Sequence, residues 1–498
     1  MILNNNNAMP AHLTALLAGA VVPLAFAPFG YYILAFICLA LLFYLCHKST
    51  AKRAFIRAYL FGFGYFGVGV YWLHISINLF GGMNLAGALF FTYLLVAVLA
   101  LFPAVFISLG NRFFNSKAIY AYAFLWISGE WCRGWFLTGF PWLNTGTSQT
   151  DSVLAAFAPL VGDYGVGLVV ALMGAAIVLV ISGRLTEKLL ALGTAAVLLI
   201  SAVVLKESTW AEALGEELDV VLVQGAIPQE IKWQRDQRLA TLEIYSELTQ
   251  PYWNSDLVLW PETAIPSLYH TAGDFLQRIT QDRADSDAIF MSGLAYQDQE
   301  TRNYYNSILL MDDQHRFYHK HQLVPFGEYL PLRSLLGNVL QFLQIPMSDF
   351  SAGDENMKVF ATDKAMLGMS ICYEDAYGTQ IRKSMPEAEI LINVSNDAWF
   401  GDSLAPHQHL QIARMRAMEN RRYLLRATNT GISAIIDHRG KVIAQSPQFE
   451  PHALVGTVQR YQGATLFSRW GNSTVLVICG LALLLLLSSR FRKPADRP

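Results

Sequence analysis

The sequence has little charge and no excess of either sign. Only 15% of its 498 residues are Asp, Glu, Lys or Arg, and the 36 basic and 38 acidic residues leave a net charge of −2. A basic face of the kind that binds nucleic acid is therefore not indicated. Hydrophobic residues make up 53% of the chain, which is typical of proteins with membrane-spanning segments of about 20 apolar residues each.

The sequence also lacks the motifs that hold metals and nucleotides. It has no cluster of His, Cys and carboxylate residues at metal-ligand spacing and no glycine-rich phosphate loop. We therefore expect neither a metal nor another cofactor.

Cysteine is scarce, with five residues in the whole chain. Four of them lie in or beside apolar runs: Cys38, Cys46, Cys132 and Cys479. Cys372 alone lies in the long polar part, roughly residues 207 to 470, where it has no obvious disulfide partner. This makes Cys372 a candidate nucleophile.

The N-terminal region lacks basic residues. No Lys or Arg precedes Lys48, so the basic region of a cleaved secretory signal is missing. Ala25-Phe26-Ala27 resembles a cleavage site, but another apolar run follows it almost at once. We expect an uncleaved first helix.

Eight apolar stretches approach the length needed to cross a bilayer, which is about 20 residues. They are residues 11 to 28, 31 to 46, 58 to 79, 84 to 110, 118 to 137, 163 to 182, 189 to 205 and 472 to 489. The second stretch is short, and the first two are also compatible with a tight helical hairpin. The sequence thus predicts a membrane domain of about eight helices.

The connecting loops alternate in positive charge, which predicts the orientation of the chain. The basic loops contain Lys48, Lys52, Arg53 and Arg57, then Arg112 and Lys117, then Arg184 and Lys188, and finally Arg490, Arg492, Lys493 and Arg497. The intervening loops carry almost none. By the positive-inside rule both termini are cytoplasmic, and the segment between the last two helices lies outside, on the periplasmic face of a bacterial inner membrane. An odd number of helices would reverse this placement.

The polar segment is long enough for one large domain and predicts an α/β fold. Its short apolar runs, each ending in turn residues, are 218 to 224, 256 to 260, 288 to 294, 307 to 311, 366 to 372, 389 to 394 and 433 to 436. Helical patterns lie between some of them, notably 229 to 248 and 407 to 425. Alternating strands and helices favour buried sheets covered by helices. We therefore divide the chain into a membrane domain at 1–206, an extracytoplasmic domain at 207–470, and a last helix with a basic tail at 471–498.

Reactive side chains follow three of the predicted strands. Glu262 comes directly after a strand that Pro261 ends, Lys320 is followed by a turn and then Glu328, and Cys372 ends a third strand. Catalytic groups of open α/β sheets gather at such strand ends. Glu, Lys and Cys together suit acyl transfer through a thioester, because a carboxylate takes the thiol proton and an ammonium stabilises the oxyanion.

At these residues the chain resembles the nitrilase superfamily, which has a Glu-Lys-Cys triad in an αββα sandwich. The matching motifs are Trp260-Pro261-Glu262, Lys320 with Leu323-Val324-Pro325-Phe326-Gly327-Glu328-Tyr329, and Cys372-Tyr373-Glu374-Asp375. The apolar segments on both sides narrow the resemblance to the apolipoprotein N-acyltransferase family. Further matches are Gln224-Gly225-Ala226-Ile227-Pro228-Gln229 with Lys232-Trp233, Gly139-Phe140-Pro141-Trp142, and Val394-Ser395-Asn396-Asp397-Ala398-Trp399-Phe400.

The resemblance implies a two-step acyltransferase that works through Glu262, Lys320 and Cys372. Cys372 would take an acyl chain from a glycerophospholipid, typically phosphatidylethanolamine, and pass it to the α-amino group of the S-diacylglyceryl cysteine that begins an apolipoprotein. Glu262 would be the base and Lys320 the oxyanion stabiliser. The positions that also matter for activity in the family match Trp233, Glu328, Tyr373 and Glu374. Nothing in the sequence points away from a monomer.

Each supporting residue also has a purely structural interpretation. Glu328 fits a turn carboxylate paired with Lys320, Tyr373 and Glu374 fit packing and hydrogen bonding, and Trp233 fits an amphipathic helix core. The apolar stretch 332 to 347 suits either the headgroup boundary of a membrane or the domain's own core.

Outside these motifs, two groups of charged residues stand out. Glu130 and Arg133 favour an internal ion pair that fixes helix packing, although ionisable groups at membrane depth are functional candidates by default. The charged residues 414 to 422 suggest a solvated helix face or a headgroup-facing patch.

Two other functions remain open at this stage. An amidase or nitrilase anchored to the membrane is chemically close, but eight helices are more than an anchor needs. A transporter with an extracytoplasmic domain would have more charges at the membrane midplane.

Overall fold

The computed structural model describes residues 8–329, 349–356 and 359–491. The chain divides into two compact units. The first is drawn from Met1–His74, Leu85–Ser208 and Trp470–Pro498, and the second from Ile75–Asn84 and Thr209–Arg469. Ten residues from the apolar N-terminal half thus belong to the unit that holds the sheets.

The apolar segments form helices. Their bounds are α1 Ala8–Val21, α2 Ile33–Cys46, α3 Ala51–Gly69, α4 Leu73–Leu79, α5 Leu85–Leu99, α6 Leu101–Phe114, α7 Ala118–Arg133, α8 Ala158–Ser182, α9 Leu185–Lys206 and, after the sheets, α16 Ser473–Phe491. Small residues let some of them approach closely. A Cβ added at Gly19 of α1 would lie 1.9 Å from the carbonyl oxygen of Phe61 in α3, so these backbones meet where only glycine fits.

In the part of the chain that the structure describes, three helical stretches are long and apolar enough to cross a membrane, namely Leu85–Arg133, Val153–Ser182 and Leu185–Lys206. A fourth is added if α3 and α4, which meet at a bend of 56°, count as one broken span. Shorter apolar helices at Met9–Ala25, Ile33–Cys46 and Ser473–Ser489 fall below the length of about 20 residues that a crossing needs. The predicted number of eight spans is therefore not confirmed by helix length and composition.

The described residues of the second unit form two β-sheets. The strands are β1 Glu212–Gln224, β2 Leu257–Leu259, β3 Ile265–Leu268, β4 Ile289–Gln297, β5 Tyr304–Leu310, β6 Arg316–His319, β7 Val359–Ala361, β8 Met366–Ile371, β9 Ile390–Ser395, β10 Tyr423–Thr428, β11 Ala434–Ile436, β12 Val442–Gln445 and β13 His452–Gln462. The seven-stranded sheet runs β13-β1-β2-β4-β5-β6, with β3 beside β4, and the six-stranded sheet runs β12-β11-β10-β9-β8-β7. The inner strands β1, β2 and β4, and likewise β8, β9 and β10, pair in parallel.

The alternation of side chains along the strands builds the core. In β1, Val220 and Leu222 join the apolar cluster between the two sheets, whereas Val221 and Val223 join the cluster on the outer face. Successive side chains of a strand point to opposite faces, so a continuous apolar run marks a strand that is buried on both sides.

Helices cover the outer face of each sheet. Among the described residues that follow β1, the helices before α16 are α10 Gln229–Lys232, α11 Arg238–Thr249, α12 Gly273–Asp282, α13 Gly378–Ile381, α14 Leu404–Asn420 and α15 Leu466–Trp470. Side chains of α11 and α12 pack on the seven-stranded sheet, and side chains of α14 pack on the six-stranded sheet. The layers therefore run helix, sheet, sheet, helix, and the αββα sandwich expected from the resemblance is confirmed.

Two predicted helices are shorter than their patterns. The pattern from 229 to 248 is interrupted at residues 233 to 237, between α10 and α11. The pattern from 407 to 425 stops at Asn420, because Arg421 takes a left-handed conformation (φ 52°) that ends the helix and leads into β10.

Candidate active site

Cys372 lies at the carboxyl end of β8, where it begins the 3-10 helix Cys372–Ala376. Its φ is +51°, in the left-handed region that residues with a side chain rarely adopt. Such a conformation costs about 1–3 kcal/mol and persists only where neighbouring groups fix it. The chain therefore leaves the direction of β8 at Cys372.

Glu262 follows β2 and is held against the next strand, β4. The amide of Gly293 in β4 donates to the carbonyl of Pro261 at 3.1 Å. A Cβ at Gly293 would lie 2.6 Å from the Cα of Glu262 and 2.5 Å from the nitrogen of Thr263, so a side chain there would push the glutamate away. Glu262 is 7% exposed.

Lys320 follows β6 and lies between two carboxylates. Its ammonium is 2.8 Å from Oε1 of Glu328 and 3.9 Å from Oε1 of Glu262. Lys320 itself is 1% exposed. The two glutamates and the lysine that the sequence singled out therefore come together at one edge of the seven-stranded sheet.

Asn306 is a site residue that the sequence reasoning missed. Its side-chain amide donates to Oε1 of Glu262 at 2.7 Å and to Oε1 of Glu328 at 3.0 Å. It lies in β5, where its carbonyl accepts from the amide of Lys320 at 2.8 Å. A polar residue at the start of an apolar strand was the available signal, but its partners depend on the pairing of β5 with β6.

The charges at the site oppose a resting thiolate. Burial, and after it the carboxylate of Glu262, raise the pKa of the Cys372 thiol, while the nearby Lys320 ammonium acts the other way. Burial alone disfavours the charged form of Lys320, but the carboxylates of Glu328 and Glu262 outweigh it and raise the pKa of the lysine. At neutral pH the thiol keeps its proton and the lysine stays charged, so the thiolate forms only when a base takes the proton during reaction.

Glu374 ties the Lys320 segment to the Cys372 strand. Its Oε1 accepts from the amides of His321 at 2.8 Å and Gln322 at 3.1 Å. Its Oε2 accepts from the amide of Ile371 at 2.7 Å and from the hydroxyl of Tyr318 at 2.9 Å. A fully buried carboxylate with four donors fixes the two backbone segments relative to each other.

Tyr373 is buried, and its hydroxyl accepts from that of Tyr377 at 3.3 Å. Trp233 is 36% exposed at the end of α10, which does not fit the core position that its pattern allowed. The preceding residue, Lys232, is buried and donates to the carbonyl of Glu262 at 3.1 Å. Burial lowers the pKa of Lys232 to about 7.

Family models match most of the chain. A model of the apolipoprotein N-acyltransferase N-terminal domain matches residues 18–176, and a carbon-nitrogen hydrolase model matches residues 220–465. The chain is 40% identical to the apolipoprotein N-acyltransferase of Methylococcus capsulatus, over 95% of this chain and 94% of the relative. The chain belongs to the apolipoprotein N-acyltransferase family.

Other similar proteins span almost the same length. The apolipoprotein N-acyltransferase of Nitrosomonas europaea is 40% identical over 95% of this chain and 96% of its own. That of Coxiella burnetii is 38% identical over 95% and 98%, respectively. A solved CN-hydrolase superfamily protein from Xanthomonas campestris aligns with a TM-score of 0.38 and 17% identity, over 55% of this chain and 97% of that structure. This N-acyltransferase therefore matches its curated relatives in both its apolar part and its sheet-bearing part.

In the apolar unit of this N-acyltransferase, Glu130 and Arg133 both bind the loop that follows α7. Glu130 accepts from the amide of Thr145 at 2.9 Å, and Arg133 donates to the carbonyls of Phe140 and Trp142 at 2.6 Å each. Both side chains are buried. They hold the loop against the end of the helix. The ion pair predicted between the two is not present among the described residues, because each side chain binds the loop instead of the other.

The prediction of a solvated or headgroup-facing patch at residues 414 to 422 is wrong. Arg416, Arg421 and Arg422 are 2%, 7% and 0% exposed. Arg416 pairs with the buried Glu419 at 3.2 Å, and Arg422 donates to backbone carbonyls such as that of Ala388 at 2.6 Å. These guanidinium groups bind a carboxylate and backbone carbonyls of neighbouring segments instead of solvent or a lipid headgroup. The predicted apolar segment 332 to 347 falls outside the described residues.

Proposed function

We propose that this N-acyltransferase moves an acyl chain from a glycerophospholipid, foremost phosphatidylethanolamine, to the α-amino group of the N-terminal S-diacylglyceryl cysteine of apolipoproteins. The observation that carries the proposal is the site itself. A cysteine in a left-handed turn, a buried glutamate and a buried lysine come from three strand ends of one sandwich. Family membership supplies the substrate class, and the site supplies the chemistry.

In the first half-reaction Glu262 takes the proton of the Cys372 thiol as the sulfur attacks the ester carbonyl of the phospholipid. The carbonyl becomes a tetrahedral oxyanion, and the Lys320 ammonium stabilises its charge. Collapse breaks the bond to the glycerol oxygen, which takes the proton from Glu262 and leaves as lysophospholipid. The acyl chain stays on sulfur as a thioester.

In the second half-reaction the amine of the apolipoprotein attacks that thioester. Glu262 takes a proton from the attacking nitrogen, Lys320 again stabilises the oxyanion, and the carbon-sulfur bond breaks. The sulfur recovers a proton from Glu262, and the product is an amide. One carboxylate thus serves as base and then as acid in each half-reaction.

Glu328 and Asn306 position these groups. Glu328 lies closer to the lysine than Glu262 does, at 2.8 Å against 3.9 Å, so Glu328 satisfies the ammonium and leaves Glu262 available as a base. Asn306 donates to both carboxylates and fixes their positions relative to each other. Tyr373, Glu374 and Trp233 are proposed to act in positioning or in substrate contact, and the full burial of Glu374 assigns it to positioning.

For the topology we propose eight membrane crossings, with both termini in the cytoplasm. The segment 207–470 is then the periplasmic catalytic domain, between a membrane domain at 1–206 and a last helix at 471–498. The alternation of basic loops supports this arrangement. We propose that the protein works as a monomer without a cofactor.

The test is the complete reaction in detergent with phosphatidylethanolamine and a synthetic S-diacylglyceryl cysteinyl peptide. We expect an amide-linked acyl chain on the peptide with the wild type and with Cys132→Ala, a control in the apolar unit, and no product with Cys372→Ala. Product from Cys372→Ala would refute the proposed nucleophile. Hydrolysis of small soluble amides without transfer from phospholipid would favour an amidase instead.

A further inference from the structure

Four charged side chains form a buried cluster beside the Cys372 turn. Nε2 of His409 is 2.9 Å from Oδ1 of Asp375, and its Nδ1 is 2.9 Å from Oδ1 of Asp397. Arg426 reaches the same two carboxylates, Asp375 at 3.3 Å and Asp397 at 3.0 Å. All four residues are at most 2% exposed. The mechanism above assigns no step to any of them.

The four residues of the cluster come from four separate elements that meet beside the Cys372 turn. Asp375 lies in the 3-10 helix that Cys372 begins, and Asp397 begins another after β9. His409 lies in α14 and Arg426 in β10. A cluster of this kind fixes the turn relative to both the sheet and the covering helix.

The cluster contacts Cys372 directly. Nε2 of His409 lies 3.3 Å from the carbonyl oxygen of Cys372, and the Asn393 amide donates to the same oxygen at 3.3 Å. Arg426 donates to Oδ1 of Asn393 at 2.6 Å, which orients that amide. On the other side, the Ser395 hydroxyl donates to Oδ1 of Asp397 at 3.3 Å, and hydrogen bonding from Ser395 lowers the pKa of the Cys372 thiol against the larger effects that raise it.

The role of Nε2 follows from its neighbours. Two acceptors face it, the carboxylate of Asp375 at 2.9 Å and the carbonyl of Cys372 at 3.3 Å. Nε2 therefore carries a proton and donates in either charge state of the ring. Nδ1 differs, because it faces both the Asp397 carboxylate and the guanidinium of Arg426.

The charges within the cluster balance. Burial and Arg426 oppose protonation of His409, but the carboxylates of Asp375 and Asp397 outweigh them and raise its pKa to about 9. Two cations then face two carboxylates at neutral pH. Further along α14, the Arg416–Glu419 pair is itself balanced.

We infer that His409 is a positioning residue for the nucleophile, which holds the left-handed turn of Cys372 through the hydrogen bond from Nε2 to the Cys372 carbonyl. The inference rests on the proposed function, since it takes Cys372 to be the acylated residue. Neither the sequence motifs nor the family match assigned this histidine a role. The Asp375, Asp397 and Arg426 side chains fix the orientation of its ring.

The experiment compares two amides at position 409. In His409→Gln the side-chain nitrogen reaches the place of Nε2, whereas in His409→Asn it reaches only the place of Nδ1. Both variants remove the ring and its charge, and normalisation to the folded fraction corrects for the larger loss of packing in the shorter Asn. His407→Gln and His407→Asn, on the same helix, are the matched controls.

The readout is the rate of acyl transfer from phosphatidylethanolamine to Cys372, measured without the acceptor peptide and normalised to the folded fraction. We expect His409→Asn to lower the rate constant on the order of 30-fold, with the KM for phospholipid within about twofold, because displacement of a reacting atom lowers the chemical step. We expect His409→Gln to lose no more than about fivefold, since it keeps the donor. Equal losses in the two variants, or a wild-type rate in His409→Asn, would overturn the inference.

If both variants fail to fold, Ser395→Ala tests the other connection between cluster and thiol with a smaller change. We expect alkylation of Cys372 by iodoacetamide to slow about fivefold in that variant, because the hydroxyl that holds the sulfur is gone. An unchanged alkylation rate would contradict the claim that the cluster of Asp375, Asp397, His409 and Arg426 positions the sulfur. A wild type that never acylates Cys372 refutes the proposed function, whereas acylation with equal effects at position 409 refutes only this inference.

Discussion

Glu328→Gln distinguishes the contributions of the two carboxylates that lie beside Lys320. The change keeps the size of the side chain but removes the charge that lies closest to the ammonium, at 2.8 Å against 3.9 Å for Glu262. With an effective dielectric constant of about 20, these distances correspond to about 6 and about 4 kcal/mol of attraction. Glu328 therefore provides the larger share of the electrostatic attraction that holds the Lys320 ammonium.

The stability cost follows from the burial of the lysine. Removing one partner of a buried ion pair costs about 3–5 kcal/mol, and the amide oxygen that remains still accepts a hydrogen bond, so we expect a loss of about 3 kcal/mol. The raised pKa of Lys320 fixes the pH range. Because the pKa of Lys320 is raised on folding, the stabilisation from its ion pairs is complete below the unfolded pKa of about 10.4 and is lost as the pH rises from there through the folded pKa. The stability that Glu328→Gln loses should therefore be constant from pH 6 to 9.

Activity should fall for a separate reason. Without Glu328, the ammonium draws Glu262 into direct contact, and a paired carboxylate is a weaker base. We expect acylation of Cys372 to slow about 100-fold. The assays are thermal unfolding in detergent and the rate of thioester formation from phosphatidylethanolamine.

Asp287→Asn is the control for the removal of a charge. Asp287 pairs with Lys364 at 3.0 Å, but its side chain is 88% exposed, so no measurable loss of stability or activity is expected. If Glu328→Gln unfolds at the wild-type temperature, or if it loses activity no more than Asp287→Asn does, the assignment of Glu328 as the main partner of Lys320 is wrong.

Three further predictions concern the neighbouring groups. Asn306→Ala should slow acylation about 10- to 100-fold, measured as above, because the two carboxylates lose their common donor; a normal rate would exclude that role. The rate of alkylation of Cys372 by iodoacetamide should still increase with pH above pH 9, because burial and Glu262 raise the pKa of the thiol. Glu262→Gln should move this pH–rate profile to lower pH, and it should also slow acylation because the base is lost. A profile levelling off near pH 8.5 would contradict this. Glu374→Ala should lower the unfolding temperature by several degrees, because it leaves four donors without their acceptor; calorimetry checks the shift.

The strand ends that carry the site were predictable because their signals are local. A proline directly after a short apolar run ends the strand before Glu262, and a similar run precedes Cys372. Runs that are apolar throughout indicate strands buried on both sides, and residues 220 to 224 of β1 and the whole of β9 have this burial. The αββα layers follow from these patterns together with the resemblance.

The groups that support the site were not predictable, because they depend on contacts between distant segments. Asp375 and Arg426 are 51 positions apart in the sequence, and they meet only because the 3-10 helix after β8 and strand β10 adjoin the same histidine. Asn306 becomes a partner of Glu262 through the pairing of β5 with its neighbours. The buried Arg422 resembles a surface charge in the sequence, since its partners are backbone carbonyls with no sequence signature.

The central claim is that Cys372 carries the acyl chain between the two substrates. Purified protein incubated with phosphatidylethanolamine, but without acceptor peptide, is digested and the peptide that contains Cys372 is weighed by mass spectrometry. We predict an acyl-sized mass increase on Cys372 that hydroxylamine removes and that disappears when acceptor peptide is added. An active wild type without this adduct, or an adduct that persists in Cys372→Ala, would contradict the claim.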